Sequence, residues 1–221
     1  MFIRWSGDVR FPGLAGFKDR HARGASPTNT AGGSAFGGSV VFGPFTYEVD
    51  LLRVYEWGDG TIARIGSYCS IASGVELYLG GGHRTDWIST YPFGRQSLRA
   101  ERPGDRPGHP TSSGDILIGN DVWIGSNASI MSGVHVGDGA VIAARSHVVS
   151  NIPAYSIAGG NPAQVIRPRF DDRTTQRLLA VAWWEWSPEA VWAAREVLCS
   201  TPTEGSLETL EIITAEERRR S

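Results

Sequence analysis

Only two cysteines, Cys69 and Cys199, occur in the 221 residues, which excludes a framework of several disulfides and makes a reducing cytoplasm the expected setting. Lysine is almost missing, with Lys18 alone beside many arginines, and this carries little chemistry. No run approaches the ~18 consecutive apolar residues of a spanning helix, and the opening MFIRWSGDVRFPG lacks the apolar centre of a secretory signal. Charge of one sign is also scarce. A net charge of -2 and a pI near 6.2 leave no electrostatic footprint for nucleic acid or an anionic membrane. What is present, 41% hydrophobic residues at a mean hydropathy of -0.18, describes a soluble globular chain of one domain, or of one domain with an appendage.

A period of six organises the middle. From residue 118 the chain cuts into IGNDVW, IGSNAS, IMSGVH, VGDGAV, IAARSH and VVSNIP. Each block opens with an aliphatic residue: Ile118, Ile124, Ile130, Val136, Ile142 and Val148. The fifth places hold the compact Val122, Ala128, Val134, Ala140, Ser146 and Ile152. Second places are mostly Gly or Ala, as expected where a tight turn needs unusual dihedrals. An upstream copy opens at Ile65, Ile71 and Leu77, with Cys69 and Val75 in fifth place, and Phe42 opens a first, degenerate turn. At 3.6 residues per turn a helix would carry this apolar row around its surface. Three short strands per coil, one aliphatic per corner, keep it inside, and stacking buries columns such as Ile118 over Val136 and Ile124 over Ile142. The period therefore predicts a parallel β-helix, an all-β fold.

Residues 83–115 abandon the period and carry many Pro and Gly, which predicts a long excursion loop. Residues 14–43 are rich in Gly, Ser and Thr and are expected to be loosely coiled. Beyond residue 170 the pattern is helical, with Asp171 and Asp172 suited to capping one helix and Ser187-Pro188-Glu189 to starting another that ends near Cys199. Trp183, Trp184, Trp186 and Trp192 are expected to pack against the β-helix. The resulting division is an irregular segment 1–40, a β-helix 41–170 with its loop 83–115, helices 171–199 and a solvated polar tail 200–221.

Hexapeptide repeats, GGHRTDWISTYPF, GDILIGNDVWIG, IAGGNPAQVIRPRF and AWWEW occur in that order. The set resembles the xenobiotic acetyltransferases, which include the type B chloramphenicol and the streptogramin acetyltransferases, and covers roughly residues 40–198. The resemblance implies a left-handed β-helix, an exception to the usual crossover hand, assembled as a homotrimer with acetyl-CoA in a groove between neighbouring prisms. The chain departs from the pattern at Gly82, where many members carry Asn, in its first 40 residues, and in the segment 94–113. All three bear on the acceptor.

Acetyl transfer from a thioester to an alcohol needs a base near neutrality, and histidine supplies it. Of His21, His83, His109, His135 and His147, the first lies in the leader and His109 in the Pro-rich loop. His135 and His147 fall at sixth places and are expected on the prism face. His83 stands where the repeat stops, after three glycines, and matches the family's catalytic position. It is the candidate general base, with a carbonyl or carboxylate fixing its tautomer and Asp86 as one candidate orienter. A Ser89–His83–Asp86 triad on one short loop lacks the elbow that would expose the serine, so direct transfer is expected. Zinc would need three converging histidines, and none is in register with His135 and His147; no metal is expected.

The resemblance places acetyl-CoA against Ala143, Ala144, Ser146, Gly160, Asn161 and Pro162, with Arg167 or Arg169 for phosphate and Trp123 near the thioester. It places Tyr47 and Tyr55 in the acceptor pocket, where an aromatic face and a hydroxyl suit sugars and macrocycles alike. The expectation is an acetyl-CoA-dependent O-acetyltransferase acting on a hydroxylated small molecule, an antibiotic or a sugar. The alternatives are a biosynthetic sugar acyltransferase using another acyl-CoA and a non-catalytic β-helical scaffold.

Overall fold

A computed structural model describes residues 40–47, 52–58, 60–92 and 111–220. The segment 1–39 and most of the excursion, including His21, Phe93 and His109, lie outside the described residues. Three sheets form the faces of a prism, with strands numbered in chain order. The first face holds β1 (Val40–Phe42), β3 (Ala63–Ile65), β6 (Ile116–Ile118) and β9 (His135–Val136). The second holds β4 (Ser70–Ile71), β7 (Trp123–Ile124), β10 (Val141–Ile142), β12 (Ser156–Gly160) and β13 (Ala163–Pro168). The third holds β2 (Arg53–Tyr55), β5 (Glu76–Tyr78), β8 (Ser129–Met131) and β11 (His147–Val148). Pairing is parallel throughout, except that β13 folds back antiparallel on β12. Each circuit thus lends one strand to each face, the arrangement expected from the period of six.

The first places stack as predicted. Phe42, Ile65, Ile118 and Val136 share one column, Ile71, Ile124, Ile142 and Ala158 a second, and Val54, Leu77, Ile130 and Val148 a third. All but the half-buried Phe42 belong to one continuous buried cluster. Each such aliphatic contributes about 1.5–3 kcal/mol relative to an exposed one. Fifth places are buried too, including Thr46 of the first coil, whose hydroxyl donates to the Gly66 carbonyl at 2.7 Å and accepts from the Cys69 amide at 3.0 Å.

Two expectations about the repeat need correction. The left-handed backbone falls at fourth places, not second ones: Phe45, Tyr68, Asp121, Asn127 and Arg145 all have φ between 53° and 64°. Second-place glycines answer to crowding instead. A Cβ on Gly66 would lie 2.5 Å from the Gly119 carbonyl oxygen of the next coil, and one on Gly125 would lie 2.5 Å from the Ala144 amide nitrogen. The register also resets at the end of the prism. Ile152, read as a fifth place, instead pairs beside Val136 as a corner residue, four places after Val148, and brings Tyr155 to the left-handed position.

The C-terminal helices cover one flank. Helix α1 (Asp172–Val181) is capped by Asp171, which accepts from the Thr174 amide at 2.7 Å. Helix α2 (Pro188–Ala193) is capped by Ser187, and α3 (Arg195–Leu198) follows it. The polar tail expected from Ser200 is instead helix α4 (Glu204–Arg220), with Leu207, Leu210 and Thr214 buried. Arg177 ties it to α1 by a fork to Glu211, at 2.6 and 2.9 Å, and a bond to Glu204 at 2.8 Å. Trp184 and Trp186 are buried in a second core with Tyr155, Leu178 and Val181, and Trp183 packs on Tyr68 of the prism. Trp192 departs from the expected packing: it is exposed, with Arg195 over its ring at 5.0 Å. No helix among the described residues is long and apolar enough to cross a membrane.

Candidate functional site

The excursion leaves the prism at Leu79, a buried residue whose carbonyl accepts from the Thr61 and Ser112 hydroxyls, both at 2.7 Å. Gly82 and Thr111 then exchange two backbone hydrogen bonds, at 2.9 and 2.7 Å, which close the neck of the loop. Gly81, at φ 84°, lies so close to Trp57 that any side chain would enter the indole ring. This neck explains the glycines before the histidine. They let two chain segments and an aromatic ring meet where the regular coil stops.

His83 follows immediately and is exposed. Its Nδ1 lies 2.7 Å from the Thr90 carbonyl oxygen. A carbonyl only accepts, so in the neutral ring Nδ1 carries the proton and Nε2 carries the lone pair. A carbonyl therefore holds the ring, and Asp86 is gripped by Arg84 through both oxygens of its carboxylate, with Nε–Oδ1 at 2.6 Å. Ser89 accepts from the Tyr91 amide at 3.1 Å, a local turn.

The remaining candidates sit elsewhere on the prism. Trp123 projects from the second face, 57% exposed, between Ser70 and Val141. Ala143 and Ala144 form the corner between the second and third faces, where a Cβ on Gly159 would touch that of Ala143 at 3.0 Å. The exposed turn Gly160-Asn161-Pro162, with a cis peptide before the proline, links β12 to β13. Two expected contacts fare differently. Ser146, expected to offer its backbone, is buried with its hydroxyl turned onto the Ala143 carbonyl at 2.6 Å. Arg169 is spent on the fold: it donates to the Gly139 carbonyl at 2.6 Å, lies 3.7 Å from Asp121 and covers Tyr155 and Phe170. Arg167 is the more exposed guanidinium of the two.

Tyr47 and Tyr55 do not meet. Tyr47 is on the second face beside Ser70, and Tyr55 is on the third, stacked on Tyr78 at 4.6 Å. Of the two sixth-place histidines, His135 is exposed on the first face, and His147 Nδ1 lies 2.7 Å from the Ser129 hydroxyl on the third. Within one chain the His83 loop rises from the corner between the third and first faces, whereas the Ala143–Ala144 corner lies at the other edge of the third face.

Sequence reasoning missed Glu76 and Tyr78. Tyr55 donates to Glu76 Oε1 at 3.2 Å and Tyr78 to Oε2 at 2.8 Å. The signal was available: Arg53, Tyr55, Glu76 and Tyr78 alternate outward on neighbouring coils of one face. Desolvation, then the bond to Glu76, pushes the Tyr78 phenol up to about 12. Burial likewise pushes the Asp121 carboxyl up to about 6, against the pull of Arg169.

A prism of six-residue coils, broken by a loop with His83 at its neck, is the architecture of a hexapeptide-repeat protein. The family described as bacterial transferase hexapeptide (six repeats) matches residues 115–149. A probable macrolide acetyltransferase of Lysinibacillus sphaericus is 46% identical over 158 residues, which cover 71% of this chain and 85% of that protein. A chloramphenicol acetyltransferase of Agrobacterium fabrum is 48% identical over 138 residues, or 62% of this chain; the chain spans only 66% of that relative's length. A solved hexapeptide-repeat acetyltransferase from Vibrio cholerae is 25% identical, with a TM-score of 0.44, over 60% of this chain and 64% of its own. The chain belongs to the xenobiotic acetyltransferase branch of the hexapeptide-repeat acyltransferases.

Proposed function

We propose that the protein is an acetyl-CoA-dependent O-acetyltransferase that modifies a hydroxyl of a small molecule, with His83 as general base. The observation that carries the reading is the Thr90 carbonyl 2.7 Å from Nδ1 of an exposed histidine, which puts the neutral ring's proton on Nδ1 and makes Nε2 its basic nitrogen. Bound acetyl-CoA supplies the acetyl thioester. The acceptor hydroxyl adds to the acetyl carbon while Nε2 takes its proton, the carbon–sulfur bond breaks, and the imidazolium returns the proton to the departing thiolate. The family supports direct transfer, and Ser89, occupied in its turn, gives no support to a covalent route.

Acetyl-CoA fits the corner at Ala143 and Ala144, where small side chains leave the backbone open to a flat pantetheine, with Gly160, Asn161, Pro162 and Arg167 further along and Trp123 beside it. In one chain this corner and His83 lie on opposite edges of a face. That separation supports a homotrimer of left-handed prisms in which one protomer's His83 faces a neighbour's acetyl-CoA. Sequence relatives named for chloramphenicol and macrolide point to a hydroxylated antibiotic as acceptor.

His83→Ala tests the mechanism. Turnover is expected to fall by roughly 10²–10⁴, while calorimetric binding of acetyl-CoA persists. Unchanged turnover would remove His83 from the reaction.

A further inference from the structure

The first face carries a groove of about 410 Å³ that the proposed mechanism leaves unused. Its lining includes Arg64, Leu117, His135, Asp138, Asn151 and Pro153, and it runs across β3, β6 and β9 to the Ile152 turn. Arg64, Leu117 and His135 are successive outward residues of one column, so a half-buried apolar side chain separates two nitrogen-bearing ones. Asn151 is held in one orientation. Its Oδ1 accepts from the His135 amide at 2.9 Å, which turns the two N–H bonds of its carboxamide away from that contact. The exposed His135 ring makes no hydrogen bond among the described residues. Asp138 is the one acid in the lining, and its Oδ1 already accepts from the backbone and side-chain nitrogens of Asn120, at 2.7 and 2.9 Å. A guanidinium, an imidazole and a carboxamide nitrogen against one engaged carboxylate suit an anion.

The place of this face among three copies decides which anion. If His83 of one protomer serves a neighbour's cofactor, the corner between its third and first faces meets the neighbour's corner between second and third faces. About a threefold axis parallel to the prisms, the third faces then share one side of that meeting. On the other side the first face of one protomer confronts the second face of the next. The axial levels agree as well. The groove spans the circuits of β6 and β9, and those same circuits carry Trp123 on β7 and the Ala143–Ala144 corner after β10. Asn151 lies toward the end of the prism where Gly160-Asn161-Pro162 and Arg167 stand on the second face.

We infer that the first-face groove is the second wall of the cofactor cleft, where His135 and Asn151 of one protomer hold the phosphate groups of acetyl-CoA seated on a neighbour's Ala143–Ala144 corner. The subsite rests on the acetyltransferase reading, which supplies the cofactor, and each cofactor site is incomplete without the adjoining copy.

Calorimetry of acetyl-CoA binding is the test, because it needs neither acceptor nor turnover. Asn151→Asp keeps an oxygen for the His135 amide but turns an anion on the phosphates, and His135→Glu does so from the neighbouring position. Each is expected to weaken binding about tenfold, while His135→Lys, still a cationic donor, should bind like the native protein. Unchanged affinity in folded Asn151→Asp and His135→Glu, or an equal loss in His135→Lys, would overturn the subsite. Asn151→Asp is also refolded together with Ala144→Trp, which fills its own corner. Tight sites should reappear in the mixture, since an Asn151→Asp corner can then face an unaltered first face; weak sites alone would refute the sharing between copies. A native protein that binds no acetyl-CoA would overturn the acetyltransferase reading and the subsite with it, whereas native binding that ignores the first-face variants removes the subsite alone.

Discussion

Replacing Gly66 by alanine adds one methyl group at the tightest kind of place in the prism. Gly66 has no left-handed φ to lose, and its amide donates to the Ile118 carbonyl at 2.9 Å across adjacent coils. The new Cβ would stand 2.5 Å from the Gly119 oxygen and 2.7 Å from its carbonyl carbon. Both are backbone atoms of the next coil and cannot swing aside. Gly→Ala restricts the unfolded chain and by itself stabilises by about 0.4–1 kcal/mol. Overpacking opposes this with about 1–3 kcal/mol, and a clash with backbone belongs at the upper end. The difference is a loss of about 2 kcal/mol, or ~4–8 °C in melting temperature for a chain of this size. Gly205, in the first turn of α4, has nothing within 4 Å of its Cβ position, so Gly205→Ala is the matched control and should melt at or slightly above the parent. Thermal unfolding by circular dichroism decides. If both variants melted with the parent, second-place glycines would not be there for close approach.

Asp121 should show as a pH dependence of stability. Its carboxyl is raised from 3.8 to about 6 in the fold, so the folded state holds the proton more tightly than the unfolded one. That contribution is complete below about pH 4 and is lost as pH rises through about 6. Melting temperature should fall across that window, and Asp121→Asn should flatten the fall; an unchanged slope in the variant would refute the assignment. Sedimentation should give about three protomers per particle, and an active monomer would contradict a site shared between copies.

The sequence disclosed the prism because its rule is local: Ile118, Ile124 and Ile130 each repeat the same corner. Ile152 misled because the reset placed one apolar residue where another was already allowed. Crowding at Gly66 and Gly125 is set by the coil above, not by the local chain, so a period cannot separate it from dihedral freedom. Helix α4 was read as tail because Leu207, Leu210 and Ile213 are sparse among charges, and its packing comes from α1 and the Arg177 fork. Of the candidate site, His83 was legible from the break in the repeat. The engagement of Arg169 and Ser146, and the Glu76 cluster, depend on contacts between coils distant in sequence.

The most direct measurement is thiol release from acetyl-CoA, followed for the native protein and His83→Ala with hydroxylated antibiotics and with free and nucleotide sugars. The account predicts release with at least one hydroxylated antibiotic and its loss in the variant. Release that persists in His83→Ala, or silence with every acceptor while acetyl-CoA still binds, would contradict it.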